Sequence, residues 1–204
     1  DRITWPFKVL FLLFVAVSPA RSQQPTVSAG AIHHIANFPS RYVDARNIDV
    51  WLPDDYATTK RYNVVYMHDG QMLFDSTSNW NKQEWQVDEW FSKLMKAGKI
   101  SDCIVVGIWN NGMQRHAEYF PQKPFESLSP SQRKAIYQST RSDETSLFSK
   151  KVRSDRYLRF LVRELKPFID NTYATSPDRS HTFIAGTSMG GLISLYAICA
   201  QPDV

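Results

Sequence analysis

Three short apolar runs, each stopping at a turn, constrain how this chain can fold more than any other feature. Val64-Val65-Tyr66-Met67 ends at His68-Asp69-Gly70, Ile104-Val105-Val106-Gly107-Ile108 ends at Asn110-Asn111-Gly112, and Thr182-Phe183-Ile184-Ala185 ends at Gly186. A strand apolar at consecutive positions has two faces to bury, and a parallel sheet with helices on each side buries both. Helical stripes lie between the runs. Val87, Trp90, Phe91 and Leu94 recur at helical spacing with Gly98 as a stop, and Leu158, Leu161, Val162, Leu165 and Ile169 form a second stripe. Arg156, Arg159, Arg163 and Lys166 fall on the opposite side of that second helix and read as its solvated face. Strand and helix in alternation give an α/β fold. Upstream, residues 26–35 and 41–52 read as extended, the second segment closing at Pro53-Asp54-Asp55.

The stretch from 112 to 150 breaks the alternation. It is long and polar, with one helix expected from Pro130, capped by Ser129 and closed into a capping box by Gln132. Such an excursion either covers an active site or is a flexible surface insertion.

Composition supports a folded domain: 43% of the 204 residues are hydrophobic and 22% charged. The formal charge is +4, but Arg2, Lys8 and Arg21 against Asp1 place +2 of it in the first 22 residues. The remaining +2 gives no reason to invoke nucleic acid. Residues 1–22 read as a secretory signal: Arg2 and Lys8 precede nine apolar residues, 9–17, with small residues before cut sites after Ala20 or Ser22. Nine residues fall short of the roughly 20 that span a bilayer, so no stable membrane anchor is expected. Export would place the protein in a secreted or periplasmic setting, with residues 23–204 forming the domain. Cys103 and Cys199 could pair in such a compartment; each falls in a regular element of the kind that buries a free thiol, and free thiols are expected.

Gly186-Thr187-Ser188-Met189-Gly190 carries the chemistry. It has the G-x-S-x-G form, follows an apolar strand and precedes the helix-forming Leu192, Ile193, Leu195, Tyr196 and Ile198. Strand, motif and helix in that order make a nucleophile elbow, which lifts a strained serine above the sheet. The Met189 amide then points, with the helix dipole behind it, at the place where an oxyanion forms. A second amide is needed from the loop after an earlier strand, and Gln71, following Gly70, is the candidate; an Asp-Gly turn without function is the alternative. No pair of histidines has metal-ligand spacing, and no metal or cofactor is implied.

These blocks resemble those of the putative-esterase family, which includes esterase D, enterochelin esterases, acetylxylan and feruloyl esterases and secreted mycolyltransferases. The resemblance runs from about residue 41 to 204. It rests on Tyr66-Met67-His68-Asp69-Gly70-Gln71 with Leu73-Phe74-Asp75, on Val105-Val106-Gly107-Ile108 followed by Arg115, Glu118, Tyr119 and Pro121, on Leu161, Glu164-Leu165, Pro167-Phe168-Ile169-Asp170 and Tyr173, and on Gly186 to Gly191 with Leu192. It implies an α/β-hydrolase fold, mostly parallel, with a triad in the order serine, acid, histidine. Only the serine, Ser188, carries over. Sixteen residues follow it, so the strands bearing the acid and the histidine are expected beyond residue 204, and the chain alone is expected to be inactive and aggregation-prone. His33, His34, His68, His116 and His181 all precede the serine, and His68 could act as base only by departing from the family. The implied activity is ester hydrolysis through an acyl-enzyme on Ser188, acting on a small-molecule or polysaccharide ester of carbohydrate or siderophore type. A non-catalytic carbohydrate- or partner-binding relative and an acyltransferase of the same fold stay open, as do the oligomeric state and the exact ester.

Overall fold

A computed structural model describes residues 24–79, 81–142 and 145–201; the expected signal segment lies outside them. The strands are β1 (Ala31–Phe38), β2 (Arg46–Leu52), β3 (Asn63–His68), β4 (Cys103–Ile108), β5 (Thr140–Ser142), β6 (Thr145–Ser146) and β7 (Thr182–Ala185). The main sheet has the order β1-β2-β4-β3-β7. The three apolar runs become β3, β4 and β7, and they pair in parallel, Met67 opposite both Gly107 and Ala185. The other half is antiparallel: β1 pairs with β2 and β2 with β4. The sheet is therefore mixed, its parallel part confined to the strands whose sequences are apolar on both faces. The first expected strand starts later than its sequence suggested, because Thr26 and Ser28 donate backbone N–H bonds to Asp75 and Asp88 instead of pairing in the sheet.

Helices cover both faces. The helices are α1 (Val87–Lys96), α2 (Arg115–Tyr119), α3 (Gln122–Glu126), α4 (Pro130–Tyr137), α5 (Ser154–Phe160), α6 (Lys166–Thr172) and α7 (Met189–Ala200). Alternate residues of β3 and β4 divide between the two layers. Val64, Tyr66, Ile104, Val106 and Ile108 pack with Leu158, Leu161, Leu165, Ile169, Ile193 and Tyr196 from α5, the following turn, α6 and α7. Val65, Met67 and Val105 pack on the other face with Trp51, Leu73, Phe74, Val87 and Phe91.

Gly98 stops α1 as expected: it takes φ +63, and Lys99 N–H returns to the Leu94 carbonyl. Trp90 does not join the buried stripe. It is exposed beneath the Lys93 ammonium, while Asp88 and Ser92 turn inward, Asp88 to accept the Ser28 amide. Helices α5 and α6 form one rod joined by a π turn, Leu161–Leu165. Pro167 just beyond has no N–H to return to the preceding turn, and the looser winding accommodates it.

The 112–150 excursion is more structured than its polarity suggests. Ser129 and Gln132 form the expected capping box on α4. Aromatic residues Phe120, Phe125, Tyr137 and Phe148 gather with Ala117 and Val152 into a small separate core, and β5 and β6 make a two-stranded ribbon. Both cysteines are free. Cys103 is buried against Met95, but Cys199 is exposed on α7, contrary to the buried setting expected for it.

Candidate active site

Because β3, β4 and β7 run parallel, the turns leaving them open at one end of the sheet, where ligands of open α/β sheets bind. The turn after β7 is the sharpest. Ser188 takes φ 53, ψ −122, a combination that side-chain-bearing residues avoid. Glycines make this turn possible. A Cβ on Gly186 would lie 2.6 Å from the Gly190 carbonyl carbon, so strand and helix can meet there only without a side chain. Ser188 is exposed, and the half-buried Met189 is the first residue of α7, where an amide has no carbonyl partner within the helix.

The turn after β3 is a short 3-10 turn, Gly70–Met72, that carries Gln71. Gly70 backs onto β4: a Cβ there would come within 2.6 Å of the Gly107 carbonyl carbon. The Gln71 side-chain carbonyl accepts the Asn110 amide at 3.2 Å, tying this turn to the one after β4.

A cavity of about 550 Å³ lies alongside. Gln71, Asn110 and Thr187 line it from the three turns, Trp85 and Met113 add apolar surface, and Leu147 closes it from the excursion. The excursion thus forms one wall of the cleft. Ser188, Met189 and Gln71, the three residues singled out from sequence, all lie on the turns at this end of the sheet.

Sequence reasoning did not anticipate the ion pair between these turns. Asp69 accepts from Arg115 Nε and Nη2, both at 2.7 Å, and from Asn110 Nδ2 at 2.8 Å. Burial alone would lower the Arg115 pKa, but the hydrogen bonds and charge of Asp69 outweigh it and hold the guanidinium above its usual value. Helix α2, which carries Arg115, is anchored by Glu118. That buried carboxylate accepts from Arg46 at 3.0 and 3.1 Å and from Arg153 at 2.7 Å. Motif matching had singled out Arg115 and Glu118, but their partners are distant in sequence.

His68 is not available as a base. It is fully buried, its Nδ1 is 2.9 Å from the Tyr157 hydroxyl, and burial holds its pKa down at about 4. Of the other histidines, His33 packs on Tyr173 and His181 bonds Asp178. His34 bonds Asp49, while His116 borders the cleft beside Phe148. No described histidine forms a hydrogen bond to the Ser188 hydroxyl.

With this geometry in view, likeness to known proteins can be stated. A protein of unknown function from Bacillus subtilis (strain 168), YjcH, is 24% identical over 176 residues, covering 86% of this chain and 58% of its own. The ferulic acid esterase AmCE1/Fae1A from Anaeromyces mucronatus, solved in complex with ferulic acid, superposes with a TM-score of 0.57 at 19% identity, covering 90% of this chain and 58% of its own. An IroE-like serine hydrolase from Shewanella oneidensis gives a TM-score of 0.59 at 22% identity, covering 83% and 46%. The chain therefore spans about half to three fifths of the length of these relatives. The two superpositions establish the α/β-hydrolase type of fold. Residues 40–204 match the family described as Putative esterase, and the chain belongs to that family.

Proposed function

We propose that this chain carries the nucleophile and oxyanion-binding part of a serine carboxylic-ester hydrolase. The observation that carries the reading is the backbone of Ser188, held at φ 53, ψ −122 between strand and helix with its side chain exposed beside a cleft. Strain of that kind persists only where surrounding structure imposes it.

In the reaction, Ser188 Oγ forms a bond to the ester carbonyl carbon while its proton passes to a histidine. The carbonyl oxygen becomes an oxyanion, held by the Met189 and Gln71 amides, each such donor lowering the barrier by roughly 3 kcal/mol. Collapse breaks the bond to the alcohol, which leaves with the histidine's proton. Water then attacks the acyl-enzyme, releasing the carboxylic acid and restoring the Ser188 hydroxyl. The histidine and its acid are assigned to the complete gene product outside the described residues, in the order serine, acid, histidine. The cleft mixes apolar walls (Trp85, Met72, Met113 and Leu147) with polar groups (Asn110 and Thr187), which suits a small ester rather than a long aliphatic chain. Esters of carbohydrate or siderophore type, met outside the cytoplasm, are the substrates this reading favours, and no cofactor is required.

Labelling with a fluorophosphonate tests it. The complete gene product takes up one label and hydrolyses a p-nitrophenyl ester, and Ser188→Ala abolishes both, lowering turnover by at least about 10³-fold. Wild-type protein that neither labels nor turns over is a non-catalytic binding relative. Transfer to a sugar acceptor in place of water identifies an acyltransferase.

A further inference from the structure

Asp69 is placed unusually for a carboxylate. Its backbone is left-handed, φ 61, ψ 46, at the entrance to the 3-10 turn that presents Gln71, and its own carbonyl accepts the Met72 amide at 2.8 Å to close that turn. Its side chain is 5% exposed. On one side the carboxylate meets Arg115 and Asn110; on the other it lies against the elbow, where a Cβ on Gly190 would stand 3.3 Å from Asp69 Oδ2. Gly190 directly follows Met189. A buried negative charge therefore borders the region where the proposed mechanism builds a second one, and at short range inside a protein two such charges repel strongly. Arg115 meets both carboxylate oxygens. Its guanidinium rests over the Tyr119 ring at 5.2 Å, and its helix is fixed through Glu118.

We infer that Arg115 is a positioning residue for ester hydrolysis: it cancels the Asp69 charge beside the elbow and locks the turn carrying Gln71 against α7. The inference rests on the reading of Ser188 as nucleophile. Asp69 supplies geometry, namely a left-handed turn entrance and contacts to two neighbouring turns. Arg115 makes that geometry compatible with an oxyanion. Both border the cleft, but the Asp69 carboxylate is committed to Arg115 and Asn110, so the contribution of the pair should lie in the chemical step rather than in binding.

The test is a double-variant cycle in the complete gene product, with a p-nitrophenyl ester as substrate and the urea unfolding midpoint followed in parallel. Arg115→Ala is expected to lower kcat by about 10- to 100-fold while KM changes by less than about threefold. Asp69→Asn combined with Arg115→Ala is expected to recover at least about fivefold of kcat over Arg115→Ala alone, because the uncompensated charge has gone. A merely structural pair would move the urea midpoint together with kcat in both variants, whereas charge compensation at the elbow recovers kcat beyond any recovery of the midpoint. Should Arg115→Ala fold poorly, Arg115→Gln against Asp69→Asn/Arg115→Gln gives the same comparison. A wild-type kcat in Arg115→Ala, or a double variant no faster than the single, overturns the inference. Ser188→Ala separates the two readings. If it keeps full turnover, both readings fall; if it is inactive while Arg115→Ala is unimpaired, the inference about Arg115 alone falls.

Discussion

The two sides of helix α7 make opposite demands on their surroundings. At its first turn, backbone packs on backbone: Gly186 meets Gly190 with no room for a Cβ, Gly190 abuts His68 and Asp69, and the buried Ser194 hydroxyl donates to the Gly190 carbonyl at 2.8 Å. On the outward side, Leu192, Leu195 and Ile198 stand exposed, continuous with Phe183 on β7, the last strand of the described sheet. Ile193 and Tyr196 hold the helix to the core, with Met189, Ala197 and Ala200 packed partly against it. The position of Ser188 is thus set from beneath, by the strands and glycines under the turn, and not by whatever covers the helix from outside. An exposed patch of this kind is a surface that asks for a covering.

Perturbing each side in turn would break or sharpen that contrast. Gly186→Ala strikes the packed side: with a methyl 2.6 Å from backbone that cannot swing away, a loss of roughly 3 kcal/mol or more in urea-unfolding stability is expected. A loss below 1 kcal/mol would mean that the elbow yields more easily than its contacts imply. Acid should find the same side almost as costly. His68 is neutral in the fold down to about pH 4, while in the unfolded chain it takes a proton near its ordinary 6.5. Its contribution is fully present above pH 6.5 and lost as pH falls toward 4, about 3 kcal/mol in all. Unfolding midpoints between pH 7.5 and 4.5 should fall accordingly, and His68→Asn should flatten that part of the slope. The outward side should respond least. Leu195→Lys with Ile198→Lys is expected to change stability by no more than about 0.5 kcal/mol. Sedimentation of the 204-residue chain should show less self-association. A large loss of stability would show that the patch is more embedded than its exposure indicates.

The packed, Ser188 side of this contrast was easy to see in the sequence and the rest harder. Local rules sufficed for β3, β4, β7, the elbow, the Gly98 stop and the Ser129–Gln132 capping box, since each is specified within a few residues. The antiparallel half of the sheet was less legible, because pairing direction belongs to topology and β2 is buried almost throughout despite carrying Arg46 and Asp49. Trp90 misled through its apolar character: in a stripe set by spacing alone it looks like core, whereas Asp88 is what the fold buries. The Asp69–Arg115 pair was out of reach for a different reason. Its members are 46 residues apart on different elements, and ion pairs leave no periodic trace. The excursion's wall over the cleft was invisible too, because its small aromatic core is scattered through a polar segment.

The two thiols differ as the two sides of α7 do. Cys103 is enclosed beside Met95, and burial pushes its pKa up to about 12, far from the thiolate form that reacts. Cys199 stands exposed among the residues outward from the helix, bordering a recess with Leu192, Leu195 and Phe125. The fold therefore contains a natural single-site handle. A dye or spin label offered to the native protein has one accessible thiol among the described residues, and it lies where any covering layer would have to sit.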